Sequence, residues 1–263
     1  MNLADLQGQK VMMAVSGGLD SCTITHWLAD QGVEVIAYTA DLGQPDEKNI
    51  EDVRERMLAS GAAEMILEDL KEPICQVGIQ LVQSQARYEG GYWNTTGIAR
   101  HVTVAGMLPH MRERGISIMG HGATGRGNDQ VRFELASEML DPKTRVYAPW
   151  RDNAFLESFR GRREMIAYCD AHSLPVKATL DKPYSTDANV LGLTHEAGEL
   201  ESLTTPTSRI EPGMGVFPQD GPETGQSVEI RFEKGRAAAI DGVEGSPFDI
   251  VTRANMIAGA HGV

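Results

Sequence analysis

The chain has 263 residues, of which 41% are hydrophobic and 23% charged, so it can bury the core of one large domain or two modest ones. Its formal net charge of −13 disfavours a bulk electrostatic grip on nucleic acid and argues against tRNA or DNA as a partner. The three cysteines are widely spaced and form no CxxC pair, so neither a disulfide framework nor a zinc site is indicated.

The first residues and the apolar runs bear on targeting. The opening stretch "MNLADLQGQK" lacks the charged-then-apolar layout of a signal peptide. No apolar run approaches the length that a membrane-spanning helix needs. We therefore expect a reduced, soluble, cytoplasmic protein with no membrane partner.

In the first half of the chain, apolar runs of strand length alternate with helical patterns. Strands are predicted over 10–16, 33–43 and 63–70, and a further strand begins at residue 116. Helices are predicted over 20–32, 45–61, 72–91 and 97–115. The last of these should break or kink near Pro109. Strand–helix alternation with short links predicts an α/β fold with a doubly wound parallel sheet.

The second half changes in character after about residue 180, where Gly and Pro become frequent. A β-hairpin is predicted over 227–242 with its turn at "EKG". A helix is predicted over 246–262, with Ser246 as its N-cap and Pro247 in its first turn. We therefore predict two domains, a nucleotide-binding domain over 1–172 and the start of a smaller α+β domain over 173–263.

The stretch "SGGLDS" (16–21) follows the first predicted strand and enters the first predicted helix, where an α/β sheet binds its ligands. Gly17 and Gly18 let the backbone approach an anion, Ser16 and Ser21 supply hydroxyls, and the helix start supplies unpaired N–H groups. These groups predict a phosphate or pyrophosphate site. Asp20 fits such a site beside a Mg²⁺ ion, or else it caps the helix in an ordinary strand–turn–helix connection.

Two other kinds of phosphate-binding loop do not match. The chain has no GxxxxGK[ST] sequence, so this loop lacks the lysine of a P-loop. It has no GxGxxG sequence either, which makes Asp41 a poor candidate for the ribose-binding acid of a dinucleotide fold.

Two further stretches combine polar side chains with turn residues. "GHGATGRGND" (120–129) brings four glycines together with Thr124, Asn128 and Asp129, each of which can offer a ligand a directional hydrogen bond. A flexible surface loop is the alternative. "YSTD" (184–187) and "THE" (194–196) form a polar cluster on a loop, or else Ser185 or Thr186 caps a helix that begins there.

The loop "SGGLDS" resembles the pyrophosphate loop of the ATP pyrophosphatases, which cleave ATP between its α and β phosphates. Four further stretches each resemble, in order and spacing, a segment of the argininosuccinate synthase family: "AYTADLGQ", "YWNTTGIAR", "GHGATGRGNDQVRFE" and "YSTDANVLGLTHEAGELE". "APWRD" (148–152) and "EIRFEKG" (229–235) do so too. The resemblance runs from about residue 10 onward and implies an adenine nucleotide alpha-hydrolase-like domain followed by the start of a smaller synthetase domain.

The resemblance also implies which residues bind each ligand. ATP would contact Ala14, Ser16, Gly17, Gly18, Leu19, Asp20, Ser21, Cys22, Ala40, Gly122, Thr124, Asp129 and Asp187. Aspartate would be held by Thr96, Thr124, Asn128 and Asp129. Citrulline would be held by Tyr92, Arg100, Asn128, Arg132, Ser185, Thr194 and Glu196. Candidate catalytic residues are Asp20, Asp129 and Arg100, and Asp20 is also a candidate Mg²⁺ ligand acting together with the phosphates.

In this family the ureido oxygen of citrulline attacks the α-phosphate, which gives a citrullyl-adenylate and pyrophosphate, and the aspartate amine then displaces AMP. The resemblance therefore implies a ligase of arginine biosynthesis and the urea cycle that uses ATP and Mg²⁺. Such a reaction needs aligned reactants and stabilised phosphate charge more than a covalent nucleophile. A site of amides, hydroxyls and arginines suits it.

The sequence departs from the family at Cys22 and in length. The loop reads Asp-Ser-Cys where the family usually has Asp-Thr-Ser, so Cys22 is either a small residue packed behind the loop or a thiol whose pKa the helix N-terminus lowers. Family members continue past residue 263 with a segment that completes the citrulline site and a helix that clasps subunits into a tetramer. We therefore expect an incomplete citrulline pocket. A shortened relative that binds ATP without turnover, or adenylates a different ureido or carbonyl substrate, is the alternative.

Overall fold

The structure is a computed structural model that describes residues 1–45, 47, 49–125, 127–176 and 184–263. Two positions at the start of the helix predicted over 45–61, and one position of the Gly-rich loop over 120–129, lie outside the described residues. So does part of the region in which the second domain was predicted to begin. All of the predicted site residues are described.

The strands in the described part of the chain are β1 (Lys10–Ala14), β2 (Glu34–Asp41), β3 (Glu64–Asp69), β4 (Arg87–Tyr88), β5 (Tyr92–Trp93), β6 (Ile118–His121), β7 (Arg145–Tyr147), β8 (Ser185–Asn189), β9 (Gly192–Glu196), β10 (Ile230–Glu233), β11 (Arg236–Ile240) and β12 (Val243–Glu244). The α-helices there are α1 (Leu19–Asp30), α2 (Glu51–Ala59), α3 (Lys71–Gln83), α4 (Thr95–Glu113), α5 (Asn128–Leu140), α6 (Asn153–Ser158), α7 (Arg162–Ala171) and α8 (Pro247–Ala260).

The central element is a five-stranded parallel sheet in the order β3-β2-β1-β6-β7, which confirms the predicted α/β fold. β1 and β2 are buried along most of their length, because helices cover both faces of such a sheet. This explains why their sequences are continuous apolar runs and do not alternate. The core beneath these helices includes Met13, Ile24, Leu28, Met57 and Phe155, each at most 1% exposed.

The chain packs as two compact units. The first consists of Met1–Asp41, Asn49–Glu68 and Arg100–Asp181, and the second of Leu42–Lys48, Asp69–Ala99 and Lys182–Val263. The first unit contains the five-stranded sheet. The second contains three antiparallel sheets of two or three strands, namely β4-β5, β8-β9 and β10-β11-β12. The boundary between residues 172 and 173, drawn from the sequence, stays a prediction about the domains.

Two predictions for the end of the chain are confirmed. The hairpin of β10 and β11 turns at Lys234 and Gly235, both of which have positive φ. Helix α8 begins with a capping box, in which the Ser246 side chain accepts from the Asp249 backbone and the Asp249 side chain accepts from the Ser246 backbone. Pro247 stands in its first turn, where its missing N–H costs nothing.

Three predictions of local structure are wrong. α2 begins at Glu51, although the Pro and acidic residues before it suggested residue 45. The helix predicted over 72–91 ends at Gln83, and the β4–β5 hairpin follows, because Gly90 at φ +81° supports a turn and aromatic residues favour strands. α4 continues through Pro109, so the predicted break is wrong; Met107 and Met111 on either side are buried, and their packing favours the continuous helix.

A further correction concerns residues 184–196. The sequence suggested a loop or a capped helix here, but the residues form the antiparallel pair β8 and β9. Asn189 ends β8, and its side-chain oxygen accepts a hydrogen bond from the Leu191 backbone N–H at 2.8 Å, which is the local turn that an Asn favours. No helix in the described part of the chain is long and apolar enough to cross a membrane.

Candidate functional site

The strand order of the first unit creates a crevice beside β1. The chain leaves β1 for β2 on one side and returns on the other side as β6, so the order reverses between β1 and β6. Ala14 and His121 pair in register as the last residues of these two strands. The loops that follow them therefore start next to each other at the carboxyl edge, where open α/β sheets bind ligands.

The first loop, residues 15–18, is held by hydrogen bonds from its neighbours. The Val15 N–H donates to the Tyr38 carbonyl at 2.9 Å, and the Thr39 hydroxyl donates to the Val15 carbonyl at 2.6 Å. The Ser16 N–H donates to the Ser21 hydroxyl at 3.0 Å. The buried Ser21 hydroxyl thus braces the turn, while Ser16 and Gly18 are exposed at its surface.

Gly17 has no acceptable substitute at its position. Its φ of +70° lies in the left-handed region, and a Cβ there would stand 3.0 Å from Nη2 of Arg56 and 3.0 Å from Cγ1 of Val53. Both of these side chains come from α2 and are buried. The sequence indicated that residue 17 needs the backbone freedom of glycine. Only the packing of α2 shows that the space a side chain would need is also occupied.

The first turn of α1 has no side-chain cap from its N-cap residue. That residue is Gly18, and the first helical bond runs from Cys22 N–H to the Gly18 carbonyl at 3.0 Å. The uncapped N–H groups and the positive end of the helix dipole suit an anion. The structure therefore has the backbone features predicted for a phosphate site.

Asp20 does not cap α1, so that alternative is wrong. It is the second residue of the helix, and its Oδ1 accepts a hydrogen bond from the indole Nε1 of Trp150 at 3.1 Å. Burial raises the pKa of the Asp20 carboxyl, and the hydrogen bond from Trp150 and the charge of Arg162 oppose that rise.

Cys22 packs behind the loop. Its side chain is fully buried, and its Sγ lies 3.7 Å from the Gly17 carbonyl oxygen. Burial raises the pKa of the thiol and outweighs the opposing effects of Ser60 and Arg56. The alternative of a thiol with a lowered pKa is therefore wrong, because the site is dry as well as close to a helix N-terminus.

The second loop leads from β6 into α5, and its described residues are 122–125 and 127. A Cβ at Gly122 would contact Ile24 and Asp20 of α1 at 3.4 and 3.9 Å, so this loop passes close to the first turn of that helix. Thr124 and Asn128 are exposed, and Gly127 is the uncapped N-cap of α5. The two loops thus present two uncapped helix starts and exposed hydroxyl and amide groups at one edge of the sheet.

His121, at the base of the second loop, is fully buried and stacks on Phe133 with ring centroids 4.9 Å apart. Its Nδ1 accepts the Ala123 N–H at 3.2 Å. Burial lowers the pKa of this imidazole to about 4, against the opposing charge of Asp129. A neutral His121 therefore holds the first residues of the loop.

Three predicted site residues meet in one charged cluster. Asp129, in the first turn of α5, accepts from Arg100 Nη2 at 2.7 Å and from Arg132 Nη1 at 2.8 Å. Burial alone would raise the pKa of Asp129, but the two guanidinium groups outweigh it and hold the pKa below its ordinary value. The cluster keeps Asp129 ionised and both arginines oriented.

The other predicted site residues lie in the second unit. The register of β8 and β9 pairs Ser185 with Glu196 and Asp187 with Thr194, so these four residues share one face of the hairpin. The opposite face carries Thr186 and His195, whose side chains are hydrogen-bonded at 3.0 Å. Separately, the Tyr92 hydroxyl lies 2.6 Å from the Thr96 hydroxyl, so that pair of predicted residues is also brought together.

The described structure also shows residues at the loops that the sequence did not single out. Arg56 packs against Gly17, and Trp150 donates to Asp20. Nothing in the sequence pointed to a functional role for Arg56, because it lies in an ordinary amphipathic helix. Trp150 could have been found, since it lies in the "APWRD" segment, which resembles the family but was given no role there.

Comparison with known proteins agrees with this geometry. Residues 10–175 match the family model described as the arginosuccinate synthase N-terminal HUP domain. Residues 184–263 match the arginosuccinate synthase C-terminal domain. The chain belongs to the argininosuccinate synthase family. The five-stranded parallel sheet lies within the residues that match the HUP domain.

A curated relative supports the same family. The argininosuccinate synthase of Rhodopirellula baltica is 43% identical over 254 residues, which cover 96% of this chain. The same match covers 63% of the relative, so the chain spans less than two thirds of that protein's length. The family name is that of a ligase of arginine biosynthesis.

Proposed function

We propose that the chain carries out the ATP-dependent joining of citrulline and aspartate to argininosuccinate, with release of AMP and pyrophosphate. The observation that carries the proposal is the pair of loops after β1 and β6, which stand side by side at the strand-order reversal of a chain in this family. Their uncapped helix starts suit the phosphates of ATP.

The residue roles follow from chemistry. We assign the phosphates to the N–H groups of residues 16–22 and the adenine to the region of Ala40, which ends the buried part of β2 beside β1. Arg100 and Arg132 are oriented by Asp129 and suit the carboxylate of an amino-acid substrate. In the second unit, the hairpin face with Ser185, Asp187, Thr194 and Glu196 carries hydroxyls and carboxylates, which suit the polar ends of an amino-acid substrate such as citrulline.

A magnesium ion fits this donor set. Mg²⁺ keeps several waters and is usually held by one or two carboxylates together with substrate phosphates. Among the described residues, no group of three or more His, Cys, Asp or Glu side chains could hold a metal ion without such help. Asp20, whose carboxylate stands at the first loop, is the residue that would hold the ion, and the ion would neutralise charge on the phosphates.

The test is pyrophosphate release, measured as citrulline and then aspartate are added to the chain with ATP and Mg²⁺. We expect release to require citrulline and argininosuccinate to require aspartate. Asp20→Asn should lower the rate by about 100-fold or more, since it removes the carboxylate charge that would hold the ion beside the phosphates. Asp30→Asn, at the exposed end of the same helix, is the matched control and should retain the parental rate.

Two results would contradict the proposal. Pyrophosphate release that ignores citrulline would indicate a different ureido or carbonyl substrate. ATP binding in calorimetry without any turnover would indicate a nucleotide-binding relative that is inactive.

We further propose that the protein is a cytoplasmic homo-oligomer, a tetramer as the family resemblance implies. All three cysteines are buried and free, which suits a reducing compartment. Light scattering coupled to gel filtration would test the assembly, and a monomeric mass at micromolar concentration would contradict it.

A further inference from the structure

Trp150 lies in the segment "APWRD", outside all the ligand-binding residues that the family resemblance implies. It is part of a 3₁₀ turn, Pro149–Arg151, that follows strand β7 in the first unit. Two independent contacts connect this one residue to the two loops of the candidate nucleotide site. Both contacts lie within the first unit.

The first contact is made by the indole ring. Its Nε1–H donates to Asp20 Oδ1 at 3.1 Å, across 130 positions of the sequence. A hydrogen bond to an ionised carboxylate is about twice as strong as one between neutral groups. Because Asp20 is partly buried at the start of α1, this donor restricts the direction in which the carboxylate points.

The second contact is made by the Trp150 backbone. A Cβ placed on Gly125 would lie 2.7 Å from the Trp150 carbonyl oxygen, so the second loop can pass this point only with a glycine. The carbonyl belongs to a rigid segment and cannot move away cheaply. The second loop therefore contacts the backbone of Trp150, and the side chain of Trp150 binds Asp20, the residue next to the first loop.

The segment that presents Trp150 is anchored firmly. Asp152 is only 4% exposed, and its carboxylate accepts from the Tyr147 hydroxyl at 2.9 Å, from the Leu3 N–H at 2.6 Å and from the Ala154 N–H at 3.1 Å. The Trp150 ring packs edge-on against the buried Phe155 at 5.2 Å. Ring and backbone are thus both fixed before any ligand arrives.

We propose that Trp150 is a positioning residue that orients the Asp20 carboxylate and supports the second loop, so that both loops bind the same nucleotide phosphates. This inference rests on the proposed function for the identity of the ligand. Binding geometry of this kind affects the phosphate end of ATP and leaves the adenosine end untouched, because the only parts of the candidate site that Trp150 is described as contacting are Asp20 and Gly125 of the two loops.

The matched variants are Trp150→Phe and Trp27→Phe. Trp150→Phe removes the indole N–H and keeps an aromatic ring against Phe155. Trp27 also packs edge-on against Phe155, at 5.3 Å, and is buried, but it lies further along α1, beyond the first turn that carries Asp20. Trp27→Phe therefore reproduces the loss of ring size against Phe155 and keeps the Trp150 N–H that donates to Asp20.

Calorimetry with ATP plus Mg²⁺, and with adenosine, measures the effect. We expect Trp150→Phe to weaken ATP binding about tenfold and adenosine binding less than twofold, and Trp27→Phe to change the ratio of the two affinities less than twofold. An equal loss for both ligands in Trp150→Phe would mean that the residue is merely structural and would overturn the proposal. So would a Trp150→Phe variant that binds ATP like Trp27→Phe.

A spectroscopic measurement on the free protein separates this proposal from the proposed function. In ¹H–¹⁵N spectra the Trp150 indole resonance is assigned by its loss in Trp150→Phe. Asp20→Asn should shift that resonance and leave the Trp27 indole resonance in place. If the parent chain binds no ATP, the proposed function fails, and this shift still decides whether Trp150 holds Asp20; an unmoved Trp150 resonance would overturn the positioning role.

Discussion

Replacing His121 should change how the stability of the first unit depends on pH. The imidazole is fully buried against Phe133, and its pKa of about 4 lies below the ordinary 6.5 that it regains on unfolding. At a pH between these two pKa values, His121 is protonated in the unfolded chain and neutral in the folded chain. Stability must therefore fall as the pH drops from 6.5 toward 4.

The size of the effect follows from the two pKa values. Over the interval from pH 7 to pH 4.5, a single group with these values costs about 2–3 kcal/mol of unfolding free energy. With an m-value of about 3 kcal/mol per molar urea, the unfolding midpoint of the parent chain would drop by roughly 0.8 M more than that of a chain without the imidazole. The neighbouring Asp129 does not contribute in this range, because its pKa lies below 3.8.

The assay is urea unfolding of the parent and of His121→Gln at pH 7, 5.5 and 4.5. We expect the variant to be less stable at pH 7, where the parent keeps its hydrogen bond to Ala123 N–H and its contact with Phe133. The difference between the two should shrink or reverse by pH 4.5. Parallel stability curves would refute the reasoning, as would an NMR resonance of His121 that titrates between pH 6 and 7 in the folded protein.

Three further outcomes can be checked. Gly259→Ala should destabilise the second unit by about 2 kcal/mol or more in thermal unfolding, because its Cβ would overlap the Met214 carbonyl oxygen, whereas Gly225→Ala, where nothing lies within 4 Å, should be neutral. Asp129→Asn should cost about 2 kcal/mol at pH 7, and the cost should shrink as the pH falls below 3.8 and through the lowered pKa of the Asp129 carboxyl in the folded chain; a cost that does not shrink on acidification would contradict the role of the ion pairs. The three thiols are at most 2% exposed and should not react with Ellman's reagent until the protein is unfolded, so rapid reaction of any one in the native chain would show that its burial is wrong.

Much of the fold could be predicted because its causes are local. The buried strands β1 and β2 are largely apolar runs, and the helix α8 carries its own start signal in Ser246 and Pro247. The errors arose where a local signal met a competing contact. Pro109 did not break α4, because its neighbours are buried, and residues 184–196 paired as strands because Asn189 formed a turn that the polar pattern did not distinguish from a cap.

The candidate site divides in the same way. The sequence alone predicted the first loop as a phosphate site, because glycines and hydroxyls follow directly after the first strand. The sequence could not decide what Asp20 does, because both of its predicted roles, cap and metal ligand, fit the same local pattern. Its partner is Trp150, and that contact exists only because β7 lies beside β6 in the sheet. The burial that keeps Cys22 inert is likewise a property of the packed unit.

The sequence by itself determined the α/β class, the two Gly-rich loops and the family, because apolar periodicity, backbone freedom and motif order are properties of short stretches. Tertiary structure alone decided which of these stretches meet. The strand order put the loops after β1 and β6 side by side, the α2 packing filled the space beside Gly17, and the folding of α4 and α5 placed Arg100 on Asp129. These contacts join residues tens of positions apart, and their geometry depends on several packed elements at once, which no local pattern encodes.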